Sequence, residues 1–275
     1  MTGKVKVALL QLNAGPDIAE NIIAAETLIR EAAAQGARFI LTPENTCHIR
    51  RPATEKLKSA RAMEGHPVVT RFAALAQELG VWILIGSISV LLPEQKILNR
   101  SILIDANGDI VADYDKIHLF DVDLPTGEIH RESAVVKPGE KATVADTPWG
   151  KVGMTICYDL RFASLFRALA KAGAAILTVP SAFTVPTGQA HWHTLLRARA
   201  IENGAFVLAP AQVGTHEGDR KTYGHSLIID PWGTILAEGD GENIGIVMAE
   251  LDQNAVKTAR ESIPALLHDR EYSMG

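Results

Sequence analysis

Three side chains in this sequence could together break an amide-type bond. Cys157 lies between a strand-like run, Val152 to Ile156, and a helix-like run that begins within a few residues. A thiol there sits at a strand's carboxyl end, near the positive end of a helix dipole, which favours the nucleophilic thiolate. The competing reading is a buried structural cysteine, the commoner fate of a lone thiol. Glu44 follows Thr42-Pro43 at the end of another strand. A carboxylate there could take the thiol proton, and burial would raise its pKa towards neutrality, which suits a general base. Alternatively it faces water or caps a helix. Lys116 stands in Tyr114-Asp115-Lys116-Ile117-His118-Leu119-Phe120, just beyond a hairpin. Pointing inwards, its ammonium would stabilise a thiolate and a developing oxyanion. Pointing outwards, it is an ordinary lysine on an edge strand.

The elements that must position these groups alternate. Val5 to Leu12 reads as a buried strand. Ile18 to Gln35 reads as a helix with Ile22, Ala25, Ile29 and Ala32 on one face and Gly36 as its stop. Phe39 to Leu41 is a short strand, a helix opens at Pro67 and stops at Gly80, and Val81 to Val90 is a strand. The later half repeats the theme: a strand into Cys157, a helix over Phe162 to Lys171, a strand over Ala175 to Val179, a helix over Ala190 to Asn203 and a strand over Phe206 to Ala211. Alternation of this kind predicts layered α/β packing. An internal repeat sharpens it. Ser101 to Asp113 aligns without gaps with Ser226 to Glu238, each copy a strand, a Gly-bearing turn and a strand. Two similar halves are therefore expected, with a site between them. The segment from Asp121 to Lys141 has no clear period and reads as a loop over that site. From Gln253 a helix and a tail are expected.

Bulk properties exclude several classes. The chain has 275 residues, 47% hydrophobic and 21% charged, with a formal net charge of -5. That is an ordinary globular balance, read as one domain over residues 1–275. There is no basic arm for nucleic acid, and an acidic substrate would need a local cationic cluster to bind it. No run of about 18 apolar residues predicts a membrane span. Two cysteines, Cys47 and Cys157, cannot build a disulfide framework, and the N-terminal residues lack a signal-peptide pattern, so a cytoplasmic protein is expected.

Taken together, Thr42-Pro43-Glu44-Asn45, the segment around Lys116, and Gly153-Met154-Thr155-Ile156-Cys157-Tyr158-Asp159-Leu160-Arg161-Phe162 occur in that order. This resembles the Glu-Lys-Cys triad pattern of the nitrilase-like, carbon-nitrogen hydrolase superfamily, over nearly the whole chain. The resemblance implies a four-layer α-β-β-α sandwich, a homodimer or higher homo-oligomer, and no metal or organic cofactor. It also implies that Glu44 is the base, Lys116 the oxyanion stabiliser and Cys157 the nucleophile. Arg131-Glu132-Ser133 matches the segment carrying the family's second glutamate, so Glu132 is the fourth catalytic candidate, with the role of orienting the lysine. Cys157-Tyr158-Asp159 looks like the amidase branches, where true nitrilases usually continue with tryptophan and glutamate. Ala209-Pro210-Ala211-Gln212 is similar to the amidases of deaminated glutathione. Ala163 departs from relatives that often have proline there.

The expected substrate is a small carboxylated amide, with omega-amidase, N-carbamoyl hydrolase and nitrilase chemistry as alternatives. A catalytically silent scaffold is the alternative of another class. Tyr158, Arg161, Phe183 and Thr187 are candidate substrate-binding residues. Arg161 is alternatively locked to Asp159 or Glu202, and Phe183 and Thr187 are placed on a strand-to-helix loop. His191 and His193 project roughly 200° apart if helical, so one metal ion cannot take both, and no metal site is expected.

Overall fold

The computed structural model describes residues 3–50 and 52–275. Met1 and Thr2, the first residues of the segment read as lacking a leader, lie outside the described residues. The first half runs β1 (Lys4–Gln11), α1 (Ile18–Ala34), β2 (Phe39–Leu41), α2 (Ala53–Ser59), α3 (Pro67–Leu79), β3 (Trp82–Leu91), β4 (Ile97–Ile104) and β5 (Ile110–Asp115). Two short strands follow, β6 (Asp121–Asp123) and β7 (Ile129–Arg131). The second half runs β8 (Thr143–Thr147), β9 (Gly150–Met154), α4 (Ala163–Lys171), β10 (Ala174–Thr178), α5 (Val185–Asn203) and β11 (Phe206–Ala209). It ends with β12 (Val213–Thr215), β13 (Lys221–Tyr223), β14 (Leu227–Ile229), β15 (Ile235–Glu238), β16 (Gly245–Asp252) and α6 (Asn254–Ser262).

Two six-stranded sheets form, in the orders β16-β1-β2-β3-β4-β5 and β8-β9-β10-β11-β14-β15. Their pairings match step for step: antiparallel, parallel, parallel, antiparallel, antiparallel. Strand alternation explains the layers. On β1, Val5, Val7 and Leu9 pack into one core with Val152, Met154 and Ile176 of the other sheet. The opposite face, Ala8 and Leu10, packs on Ala25 and Ile29 of α1 and Phe72 and Leu75 of α3. Helices α4 and α5 cover the second sheet through Phe166, Leu169, Trp192 and Leu196. The result is the α-β-β-α sandwich.

The repeated hairpins match in detail. In the first turn Asp105 Oδ1 accepts from the backbone N–H groups of Asn107 and Asp109, and in the second Asp230 Oδ1 accepts from those of Trp232 and Thr234. Both turns close on a glycine, Gly108 or Gly233, at φ +87°.

Three expectations change. Helix α5 begins at Val185, not Ala190. Pro186 lies in the first turn, where its missing N–H costs nothing, and Gly188 is there for packing, since a Cβ would lie 2.2 Å from Tyr223 Cγ. The Asp121 to Lys141 segment contains the β6–β7 hairpin. Strand β16 was not foreseen, yet it pairs with β1 along the whole of that strand, from Lys4↔Asp252 to Gln11↔Gly245.

Candidate active site

Glu44 stands on the turn that ends β2. Thr42 Oγ1 accepts from the Gly86 N–H at 2.9 Å, and Ser87 Oγ accepts from the Asn45 N–H at 2.8 Å. β3 can approach this closely only because residue 86 is glycine: a Cβ there would lie 2.0 Å from the Thr42 carbonyl oxygen. From the other half, the Gln212 amide donates to the carbonyls of Glu44 and Asn45. The carboxylate itself is saturated. Its Oε1 accepts from Lys116 Nζ at 2.8 Å and Asn99 Nδ2 at 3.0 Å, and its Oε2 accepts from the Ala182 N–H at 3.1 Å.

Lys116 follows β5 and is 2% exposed. Its ammonium also donates to Glu132, at 2.9 Å to Oε2 and 3.2 Å to Oε1. Glu132 Oε2 accepts in addition from the Phe120 N–H at 2.7 Å, and Asn99 Nδ2 reaches Glu132 Oε1 at 3.1 Å. Asn99 therefore ties both acids together beside the lysine.

Cys157 adopts a left-handed backbone, φ +50°, a conformation that costs a non-glycine residue free energy and that clusters at functional sites. Its N–H donates to the Pro180 carbonyl at 3.0 Å, and its thiol shares one cavity with the Glu44 carboxylate. Asp159, fully buried, fixes this elbow. It accepts from the Ile156 N–H, the Tyr114 hydroxyl and the His118 N–H, and contacts His118 Nδ1 at 2.7 Å. One carboxylate thus clamps the Cys157 turn to the segment carrying Lys116.

The electrostatics correct two expectations. Burial alone would raise the Glu44 pKa, but the Lys116 ammonium, by charge and by hydrogen bond, brings it down to about 2. Burial and the adjacent Glu44 carboxylate push the Cys157 thiol up, against the pull of Lys116. The helical turn after Cys157 spans only Cys157–Arg161, too short for a large dipole to offset this. Lys116 is held well above its ordinary value: burial would lower it, but Glu132 and Glu44 outweigh that. The resting state is therefore an ion-paired carboxylate and ammonium beside a neutral thiol.

Glu44, Lys116, Glu132 and Cys157 line one cavity of about 550 Å³. Tyr158, Phe183 and Thr187 line it too. Tyr158 stacks edge-on against Phe120 and Phe162, and Phe183 packs on Trp192. Thr187 sits in the first turn of α5, not on a loop, and shares a 2.8 Å hydroxyl contact with Thr184. Arg161 lies outside the cavity lining. Its guanidinium packs over the Tyr158 and Phe183 rings at 5.8 and 5.7 Å and reaches His191 Nδ1 at 3.3 Å. Neither expected acid holds it, because Asp159 is taken by the elbow and Glu202 by Arg199.

Sequence reasoning missed the cationic wall. Arg50, Lys56, Arg131 and Arg220 also line the cavity, so its fixed cations exceed its two carboxylates. Lys56 Nζ donates to Asn45 Oδ1 at 2.8 Å, and Arg220 donates to the Ala182 carbonyl at 2.9 Å. These residues sit on α2, at the end of the short strand β7 and on loops, where no period marks a side chain as inward. The available signal was the need for a local cationic cluster in an acidic chain.

The carbon-nitrogen hydrolase family model matches residues 6–261. This chain belongs to that family. With it, the chain is a hydrolase of carbon-nitrogen bonds other than peptide bonds. It is 42% identical over 272 residues to the deaminated glutathione amidase of Yersinia enterocolitica, covering 97% of this chain and 93% of that protein. The C. elegans NitFhit crystal structure superposes with a TM-score of 0.91 at 36% identity, covering 98% of this chain and 66% of that longer one. Saccharomyces cerevisiae Nit3, a branch 10 member of the nitrilase superfamily, superposes with a TM-score of 0.86 at 33% identity, covering 95% of both chains. Among the described residues of this hydrolase, no helix is long and apolar enough to cross a membrane.

Proposed function

We propose that this carbon-nitrogen hydrolase is an amidase that cleaves a small carboxylated amide, of the deaminated glutathione kind, through a thioester on Cys157. As Cys157 Sγ bonds to the amide carbon, its proton passes to Glu44 and the carbonyl π pair moves onto oxygen. That oxyanion is held by Lys116 Nζ and the Tyr158 N–H. An oxyanion drawing on the Lys116 ammonium weakens its hold on Glu44, so the base gains strength when it is needed. Glu44 protonates the departing amine, the C–N bond breaks and a thioester remains. Water then attacks, giving its proton to Glu44, and the acid leaves as the thiol is restored. Glu132 is the positioning partner of Lys116. This chemistry needs no metal or organic cofactor.

The observation that carries the reading is the convergence of thiol, two carboxylates and ammonium on one cavity whose other charged lining residues, Arg50, Lys56, Arg131 and Arg220, are all cationic. Such a wall suits a substrate with its own carboxylates, and the relatives' name supports that class. Both sheets feed this cavity, which supports a single functional unit over the whole chain. Two free cysteines support an intracellular, cytoplasmic setting. Exposed Ile201, Trp232 and Leu236, on α5 and the second hairpin, support a homodimer or higher oligomer, to be checked by light scattering.

The test is an assay on deaminated glutathione, 2-oxoglutaramate, an N-carbamoyl amino acid and a simple nitrile, beside Cys157→Ala. Turnover of deaminated glutathione, lost in Cys157→Ala, is expected. Turnover of only the nitrile would overturn the amidase reading. No turnover, with no thiol adduct from a reactive amide, would favour a silent scaffold.

A further inference from the structure

The His-x-His pair of α5 does split, but one member finds other company. His191 turns towards Arg161, whereas His193 faces the second hairpin. There His193 Nε2 lies 2.9 Å from Glu238 Oε1, and His225 Nδ1 lies 2.8 Å from the same oxygen. The three potential ligand atoms lie within 4.8 Å of one another. Each side chain is about one-third exposed, so an ion can enter and a water can complete its shell. The histidines come from separate segments, and His225 is placed from behind. Trp192 Nε1 donates to the His225 carbonyl at 2.7 Å, and His225 holds a left-handed backbone at φ +54°. Gly241 leaves room for the ring, since a Cβ there would lie 2.8 Å from His225 Nε2.

The hairpin does not need this arrangement to fold. In the first copy the residue matching His225 is Arg100 and the residue matching Glu238 is Asp113, and Arg100 pairs mainly with Asp115 as an ordinary ion pair. The second copy has two imidazoles and one carboxylate instead. Two neutral imidazoles can donate to one carboxylate oxygen, but they are also the donor set that suits zinc, nickel, cobalt and copper.

We propose that His193, His225 and Glu238 form a binding site for a divalent d-block cation, zinc being the natural occupant, remote from the catalytic cavity. With metal–ligand bonds of about 2.0–2.1 Å, tetrahedral ligand atoms sit about 3.3 Å apart. The observed 2.8 and 2.9 Å contacts open to that value by about half an ångström, while the two imidazole nitrogens, within 4.8 Å of one another, close towards it by side-chain rotation. Three protein ligands leave a fourth position for water. The ion would staple α5 to β15, six residues along the helix from Thr187 of the catalytic cavity.

The test uses the full-length protein without an affinity tag, stripped with chelator and titrated with Zn²⁺ by calorimetry and with Co²⁺ by visible absorption. One equivalent of each is expected, with a raised melting temperature. His225→Asn and Glu238→Gln should each weaken binding by at least about tenfold, and His191→Asn should leave it unchanged. The catalytic thiol is the competing ligand, so the titration is repeated on Cys157→Ala. Binding that survives Cys157→Ala and is lost in His225→Asn supports the site. Binding lost in Cys157→Ala but kept in both hairpin variants overturns it, as does the absence of stoichiometric binding at micromolar metal. Glu238→Gln removes only a charge, so it keeps the test valid if His225→Asn fails to fold.

Discussion

The two halves share one frame and divide one task unequally. After β2 the chain reads Thr42-Pro43-Glu44, and after the matching β10 it reads Val179-Pro180-Ser181. The first half places a carboxylate in the cavity at this point. The second places a small hydroxyl that turns back to its own Val179 carbonyl at 3.0 Å. Lys116 follows the first hairpin, whereas aligning the hairpins puts Gly241 at its match. Cys157, by contrast, belongs to the second half. Stacking two copies of a strand order brings the ends of several parallel strands together, so acid, ammonium and thiol need only be placed once each. The symmetric frame supplies proximity, and the asymmetric side chains supply chemistry.

The sharpest way to break this comparison is to alter the two matched turns. Glu44→Gln should lower turnover by about 10³-fold, within the range of a lost general base in a preorganised site. Its amide cannot accept from Lys116, Asn99 and the Ala182 N–H at once, so a melting curve must accompany the kinetics. Ser181→Ala, the counterpart, should leave turnover within about threefold, because its hydroxyl meets only a local carbonyl. Comparable losses in both variants would mean that the second turn also acts on substrate.

A smaller effect sharpens the comparison of the hairpins. Gly108 and Gly233 share the same φ, so alanine is strained equally at both. The space around them differs. A Cβ at Gly108 would lie 2.7 Å from the Ala73 carbonyl oxygen, which is backbone, whereas at Gly233 it would meet the end of the Ile201 side chain at 2.6 Å. Ile201 can rotate away and α3 cannot. Gly108→Ala should therefore cost about 2–3 kcal/mol and Gly233→Ala about 1 kcal/mol, read from denaturant midpoints. Equal costs would show that strain at φ, not crowding, sets the penalty.

How much was legible in the sequence follows from how each element is held. The long apolar strands and the periodic helices were readable because burial on one face writes a period. The hairpin repeat was readable because its turn needs an aspartate and a glycine at fixed offsets. Strand β16 hid because it is an edge strand with a mixed burial pattern, specified by its partner β1. The cavity's ingredients were visible as residue types, and their spacing was not. Asn99 and Asp159 illustrate the gap: one bridges two acids and the other clamps two loops, through contacts 33 to 55 residues apart in the chain. The signs of the Glu44 and Cys157 shifts were likewise unreadable: the first turns on a lysine 2.8 Å away, the second on burial and the Glu44 carboxylate outweighing that lysine.

Acid sensitivity should give the smallest and most graded contrast. Burial pushes His48 and His66 of the first half, and His216 of the second, down to about 4. These rings stay neutral in the fold while the unfolded chain protonates near its ordinary value, about 6.5. Stability present above that value should therefore fall as pH drops from about 6.5 towards 4. Glu44, held down at about 2, loses its contribution only below the ordinary carboxylate range, so the two windows separate. His216 is satisfied on both nitrogens, by the Ala14 carbonyl and Thr222 Oγ1, whereas His66 Nδ1 is buried without a partner. Replacing His66 by glutamine should thus flatten the fall in melting temperature between pH 6.5 and 4.5 with little loss at neutral pH. Replacing His216 should flatten it too, but at a clear cost at pH 7, because two bonds are lost, one joining the β12–β13 turn to Ala14 of the first half and one closing that turn on Thr222. An unchanged slope in His66→Gln would remove His66 as a source of the acid sensitivity and leave it to His48 and His216.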